Sequence, residues 1–406
     1  MREREQDSTS PMGWAGREDA LESAGWGTRC VHAGSSPDPA YGAVVPPIYQ
    51  ASTFAFQDVD VGSGFEYSRS ANPTRARLEE AIALLEGGSG AACTGSGMSA
   101  ITLALNLLEQ GSHLVCPLDC YGGTFRVLEH ARRANGLQVS YVDMTRPEAV
   151  AEALRPETRM IWAETPSNPL MRIADLAALA GIARARGALL AVDNTFLSPA
   201  LQRPFQWGAD LAVHSTTKYL NGHSDVVGGA VVAGPGRTEL ARRLGVLNKT
   251  LGMVQAPLDC ALVLRGLQTL HLRRRAHEAN ARALAGFLAG HPAVATVNYP
   301  GLAAHPQHDL AARQQLGFGA MLSFELKDGS EAAVRRFLRA LRWFTLGESL
   351  GGVESLVARP ATMSHSAMSP ERRAQAGIGD GLIRVSVGVE EVEDLREDLR
   401  QALEGD

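Results

Sequence analysis

Hydrophobic and polar positions change their period several times along this chain. Residues 1–69 show no regular period. Residues 1–27 are rich in Arg, Glu, Asp, Ser and Gly, and residues 28–69 in Pro, Gly, Ser and aromatics. The first stretch lacks the apolar core of a secretory signal and reads as a disordered leader. In the second, Pro46-Pro47-Ile48 cannot be helical and residues 49–56 read as extended. It is predicted to be an arm lying on another surface, that of a neighbouring subunit.

From Pro73 the pattern alternates. Residues 74–86 carry Leu78, Ile82 and Leu85 at helical spacing and stop at Gly87-Gly88. Strand-like runs follow at 91–93, 114–116, 139–142, 160–162, 189–193, 209–213 and 230–232, with helical patterns at 98–108, 125–133 and 176–186 between them. Strands alternating with helices predict an α/β fold with a largely parallel sheet covered on both faces. Ligands of such a sheet gather at the carboxyl ends of its strands. Residues 267–288 again have a helical period, 298–309 form a Pro/Gly/His-rich loop, and 320–324 and 382–386 are strand-like. The predicted organisation is a leader over 1–27, an arm over 28–69, a large α/β domain over 70–265 and a smaller α+β domain over 266–406.

Composition narrows the function classes. The 406 residues are 45% hydrophobic and 20% charged with a net charge of −5, which supplies no basic field for nucleic acid. No apolar run reaches the roughly 18 residues of a membrane span. The five cysteines (30, 93, 116, 120, 260) form no CxxC pair. Neither a disulfide framework nor a zinc site is expected, and a reducing cytoplasm fits best.

Lysine is the informative residue. Of 39 basic residues only Lys218, Lys249 and Lys327 are lysines. Lys218 follows the apolar run Ala212-Val213 and His214-Ser215-Thr216-Thr217. A desolvated lysine can lose its proton and form an imine with an aldehyde, which arginine cannot do. Upstream, the strand Leu189-Leu190-Ala191-Val192 ends in Asp193. An amine for an aldehyde and an acid for a pyridine nitrogen are what a pyridoxal-phosphate enzyme requires of its protein. The plain alternative for Lys218 is a solvated strand-end lysine.

Other runs are ambiguous by themselves. Thr94-Gly95-Ser96-Gly97-Met98-Ser99-Ala100 joins a strand to a helix, where glycines and free amides hold a phosphate. The same letters match G-x-G-x-x-A with Asp119 beyond the next strand, so a nicotinamide-dependent dehydrogenase competes, though it leaves Lys218 and Asp193 unused. Tyr67 and Arg69 stand two apart in extended sequence and suit a phosphate; the alternative is an incidental arginine before a helix capped by Thr74. Asn168 is bracketed by Pro166 and Pro169, and Tyr121 precedes Gly122-Gly123 with Arg126 on the next turn; either is a plain turn if taken alone. His214 and His223 lack further ligands at metal spacing and read as packed histidines, and His305 and His308 as surface; no metal is expected.

The runs YSRSANPTR, TGSGMSA, DCYGGT, ETPSNP, AVDNTFLSPALQ, HSTTKYLNGHSDVVGG, FGAMLSFEL and LGESLGGVESL together resemble the cystathionine γ-synthase/γ-lyase family of pyridoxal-phosphate enzymes, from about Thr28 to the C-terminus. The resemblance implies fold type I, with an aspartate-aminotransferase-like large domain. It also implies a homotetramer built from dimers that share active sites. It assigns Lys218 to the cofactor aldehyde and Asp193 to the ring nitrogen. Gly97, Met98, Ser215 and Thr217 hold the phosphate, with Tyr67 and Arg69 arriving from the neighbouring subunit. Tyr121 stacks on the ring and assists catalysis, Asn168 bonds the ring hydroxyl, and Arg384 clamps the substrate carboxylate. Ser349 lies near Lys218, and Arg126 and Glu348 face the distal end of an amino-acid substrate. Three positions depart from the pattern: Ser70, where some γ-synthases have a second arginine, Ala71 for glycine, and Gly347 for alanine. The activity it implies is γ-replacement on an O-acylhomoserine with cysteine to give cystathionine, favoured by DCYGGT, NTFLSPALQ and FGAMLSFEL. γ-Elimination by a cystathionine γ-lyase is the runner-up, supported by Ser70 and by Tyr299-Pro300-Gly301-Leu302 with His305-Pro306-Gln307-His308. A specialised γ-substitution enzyme is a third reading, and a β-lyase is disfavoured because Glu348 stands where β-lyases tend to have an aromatic residue.

Overall fold

The computed structural model describes residues 17–405 apart from Pro39 and Ala367. Seven strands form the larger sheet: β1 (Gly90–Thr94), β2 (His113–Pro117), β3 (Gln138–Val142), β4 (Thr158–Glu164), β5 (Leu189–Asp193), β6 (Leu211–His214) and β7 (Gly229–Ala233). Their order is β1-β7-β6-β5-β4-β2-β3. From β3 through β2, β4 and β5 to β6 all pairs are parallel. β7 runs against both of its neighbours. A parallel return needs a helical crossover, and residues 215–228 between β6 and β7 contain none, so the chain comes back antiparallel. That same link carries Lys218.

The central strands are buried on both faces, as continuous apolar runs in a doubly covered sheet should be: β2 and β7 are buried throughout, and in β4 only Arg159 is exposed. Helix starts are set by capping. The helix Pro73–Glu86 has proline in its first turn and is capped by Asn72, whose side chain accepts from the Thr74 and Arg75 amides. Thr74 is therefore not the cap; its hydroxyl accepts from the Tyr49 amide at 2.9 Å and ties down the arm. The helix Gly97–Leu105 is capped by Ser96, which accepts from the Ser99 amide.

The smaller sheet contains β8 (Val294–Asn298), β9 (Met321–Leu326), β10 (Thr345–Leu346), β11 (Leu356–Ala358) and β12 (Leu382–Ser386), in the order β10-β11-β12-β9-β8. Only β10 and β11 pair in parallel. Phe324 on β9 packs edge-on against Phe337 of the helix Glu331–Ala340, with ring centres 5.7 Å apart. One apolar cluster runs from Leu78 and Ala230 beside the larger sheet to Leu284, Phe324 and Leu395 around the smaller one.

Some expectations are corrected. The helical pattern at 267–288 is interrupted at Thr269, between the helices Pro257–Gln268 and Leu270–Gly290. Within the leader and arm, Arg17–Ser23 and Trp26–His32 are helices, and residues 1–16 lie outside the described residues. Residues 40–69 contain only isolated bridges such as Thr53 with Tyr67. His305 is buried rather than at the surface, and burial pushes its imidazole down to about 4. His308 is half-buried, bonds the Pro300 carbonyl at 2.8 Å and stacks on Phe318. All five cysteines are buried free thiols. Among the described residues no helix is long and apolar enough to cross a membrane, and no group of three or more His, Cys, Asp or Glu could hold a metal.

Candidate active site

Carboxyl ends of the parallel strands deliver Glu164, Asp193 and His214 to one edge of the larger sheet, with Glu164 and Asp193 in register on β4 and β5. A cavity of about 520 Å³ opens there. It is lined by Gly97, Met98, Tyr121, Arg126, Asn168, Asp193, Ser215, Thr217, Lys218, Glu348, Ser349 and Arg384, which are all of the predicted site residues except two. Tyr67 and Arg69 stay outside it. Tyr67 is exposed, and Arg69 lies over its ring and donates to the Lys249 carbonyl at 2.9 Å.

Lys218 sits in the turn after β6, and its Nζ donates to Ser349 Oγ at 2.8 Å. Burial, reinforced by the Arg384 charge and opposed by Glu348, pushes the amine down to about 8. Two arginines of the helix Leu270–Gly290 hold the turn. Arg273 donates to the Tyr219 carbonyl at 2.9 Å and the Gly266 carbonyl at 2.7 Å, and Arg274 lies 3.9 Å from the centre of the Tyr219 ring. β12 supplies Arg384, which donates to Asn168 Oδ1 at 3.2 Å and the Ser349 carbonyl at 2.9 Å. Its Nε is buried without a partner, and burial pulls the guanidinium down to about 10.

Asp193 accepts from the Thr195 amide at 3.0 Å. Burial raises its carboxyl, while the bonds from Thr195 and the charge of His214 hold it down. Glu164 receives the Tyr121 amide at 2.8 Å on one oxygen and the Asn168 amide at 3.1 Å on the other, so one carboxyl positions both residues. Burial and the charge of Asp193 push Glu164 well above the usual carboxylate range. The Thr195 hydroxyl accepts from the Ser215 amide at 2.9 Å, linking the acid strand to the lysine strand. Sequence reasoning gave no role to Glu164 or Thr195. Thr195 could have been found as the second residue after an aspartate in a turn; Glu164 declares itself only through its register with Asp193.

Another part of the cavity could hold an anion. The N-terminus of the helix Gly97–Leu105 meets Ser215 so closely that a Cβ on Gly97 would lie 2.7 Å from Ser215 Cβ. Thr217 is held by its hydroxyl against Gly228, which it bonds at both the carbonyl and the amide. A Cβ on Gly123 would fall 2.3 Å from the Tyr121 ring, so that ring keeps its place only over glycine. Amides and hydroxyls for a phosphate, an acid for a ring nitrogen and a neutralisable amine for an aldehyde occupy separate parts of one cavity, and these residues fit pyridoxal phosphate. Arg126 and Glu348 are exposed and stand at the cavity's outer part.

Comparison with known proteins agrees. The family model described as Cys/Met metabolism PLP-dependent enzyme matches residues 27–404. The chain is 48% identical over 378 residues to a cystathionine beta-lyase of Coxiella burnetii, covering 93% of this chain and 97% of that one. It is also 48% identical to a cystathionine gamma-lyase of Bacillus subtilis, over 93% and 98% of the two chains. The crystal structure of a cystathionine gamma synthase from Xanthomonas oryzae pv. oryzae in complex with aminoacrylate and cysteine superposes with a TM-score of 0.91 at 53% identity, over 94% of this chain and 98% of that one.

Proposed function

The chain belongs to the Cys/Met-metabolism PLP-dependent enzymes, and from that premise we propose that it is a cystathionine γ-synthase, joining cysteine to an O-acylhomoserine. The observation that carries the proposal is the charge pattern of the cavity: Arg384 sits deep beside Lys218, and an exposed cation and anion, Arg126 and Glu348, line its outer part. One α-carboxylate is matched inside, and the zwitterionic head of a second amino acid is matched outside.

Pyridoxal phosphate, when bound, supplies an electron-poor ring that takes up the electron pair left when a bond at Cα breaks. Lys218 would remove the proton from Cα, give it up, and then remove one from Cβ, whose electron pair expels the γ-substituent, a task suited to an amine brought to about 8. Ser349 orients Lys218 through its hydroxyl and reaches Arg384 through its carbonyl, so the base and the carboxylate clamp share one support. Asp193 would hold the proton of the ring nitrogen, Asn168 would bond the ring hydroxyl, and Tyr121 would lie against the ring. Tyr67 and Arg69 complete the phosphate site of a neighbouring subunit, in a cytoplasmic tetramer of paired dimers. The domain limits we propose are those read from the sequence.

γ-Elimination of cystathionine is the second reading, because Ser70 offers no cation to a succinyl group. Purified enzyme is assayed with cysteine plus succinyl-, acetyl- and phosphohomoserine, and separately with cystathionine alone. Cystathionine as main product supports the synthase. Release of 2-oxobutanoate and cysteine from cystathionine makes it a γ-lyase, and release of pyruvate and homocysteine a β-lyase.

A further inference from the structure

One stretch of the cavity wall takes no part in the chemistry proposed above. Met363, Ser364 and Ser366 line the cavity from a loop between β11 and β12. The loop comes this close because Gly122 has no side chain. A Cβ there would collide with the Ser364 carbonyl oxygen, and it would also lie 3.6 Å from Arg126 Nη1. Ser364 and Arg126 are therefore neighbours in the cavity's outer part.

Behind Ser364 lies His365, which has no exposure and whose Nδ1 is 2.9 Å from Ser364 Oγ. Burial, reinforced by the charges of Arg384 and Arg126, pushes this imidazole down to about 4, so at neutral pH it carries one proton on two nitrogens. The ring also meets the backbones of Cys120 and Asn168. Both contacts favour its protonated form, as carbonyl oxygens do and amides do not. With Nδ1 committed to the serine, Nε2 is left to face them; it is buried, and no acceptor is aligned closely enough to bond it. A lone pair on Nε2 would point at oxygen, so the proton belongs there and Nδ1 is the acceptor. The Ser364 hydroxyl then gives its hydrogen to His365, and what it offers the cavity is lone pairs.

We propose that Ser364 is a specificity residue for the second amino acid, its Oγ accepting a hydrogen bond from that molecule's ammonium while Arg126 holds the carboxylate. The inference rests on the reading that a second amino acid occupies the outer cavity. Carboxylate and ammonium of an α-amino acid share one carbon, so their partners must be neighbours, as Arg126 and Ser364 are. Glu348, which is exposed, supplies charge to the same ammonium, and a hydroxyl held from behind by a buried ring adds direction. An acceptor at this place selects a thiol that carries an amino group over one that lacks it.

The holoenzyme is assayed with the O-acylhomoserine it turns over best and two thiols, cysteine and 3-mercaptopropionate, which is cysteine without its amino group. In Ser364→Ala the preference for cysteine, read as the ratio of the two kcat/KM values, should fall by about fivefold or more. The loss should lie in a raised KM for cysteine, while KM for the acylhomoserine stays within about twofold of the parent. Ser364→Thr keeps the hydroxyl and should keep the parent's preference. A Ser364→Ala enzyme that retains that preference, or that loses equally toward both thiols, overturns the inference and leaves the hydroxyl a loop contact; Ser364→Gly makes the same comparison if the alanine variant does not fold. A parent enzyme that makes no cystathionine from any acylhomoserine refutes the γ-synthase reading instead. The ratio is then measured for cleavage of cystathionine against its analogue lacking the distal amino group, with the same two outcomes for Ser364.

Discussion

Lys218 shows how much a single residue owes to its surroundings. Its scarcity marks it in the sequence, but its lowered basicity comes from burial and from Arg384, contributed by β12. An amine attacks an aldehyde only when neutral, and depression to about 8 enlarges the neutral fraction as pH rises from 7 to 9. Uptake of pyridoxal phosphate by the apoenzyme should accelerate over that range and level off above it, whereas an ordinary lysine near 10.4 would still be accelerating. Stopped-flow absorbance decides between the two curves. Lys218→Ala should eliminate both the covalently bound cofactor's visible band and turnover; activity at the parent rate would remove Lys218 from the chemistry. The hydroxyl that orients this amine, Ser349, lies 131 residues further on, and no local pattern connects them.

Among the elements, those with strong period and clear punctuation are legible in the sequence. The helix Pro73–Glu86 begins at a proline and ends at Gly87 in the left-handed region (φ 77°), as its letters suggest. Asn72 also anchors the arm through its Nδ2, which donates to the Tyr49 carbonyl and Ser68 Oγ. Asn72→Ala should cost about 1–2 kcal/mol in urea unfolding, more than an exposed cap of the same kind; no change would mean that water replaces the cap without loss. Gly97→Ala should cost about 1–3 kcal/mol of cofactor binding through overpacking against Ser215, with the fold retained by circular dichroism. The break at Thr269 was not legible, because it follows from how a helix must turn to meet neighbours distant in sequence, whereas the reversal of β7 follows from the short helix-free link 215–228.

At the scale of the whole molecule, the exposed arm is the feature left unsatisfied. Tyr41, Val44, Val45 and Val59 are each at least 75% exposed, and Tyr67 and Arg69 lie outside the cavity they were expected to join. If they serve a neighbouring subunit, mixing inactive Lys218→Ala with impaired Tyr67→Ala protein under exchanging conditions should recover activity, since some sites would then hold both native groups. No recovery would assign each site to one chain. Acid stability is also a property of the whole. Burial pushes His113, His305 and His365 down to about 4, below the ~6.5 of an unfolded histidine. The unfolded chain then binds more protons below pH ~6.5, so these residues contribute stability fully above that pH and lose it as pH falls toward 4. Urea midpoints should drop across that window, and a flat profile from pH 6.5 to 4 would show that the histidines are protonated without cost.

The sequence alone determined the alternating α/β architecture and the family resemblance, since strand ends, glycine turns and a rare lysine are local signals, and through that resemblance it pointed to twelve of the cavity-lining residues. It could not determine that Glu164 would hold Tyr121 and Asn168 together, that Ser349 would join Lys218 to Arg384, or that Glu86 would pair with His214. Those contacts join residues far apart in the chain, and burial, which changes their charge, exists only once the two sheets have closed around them.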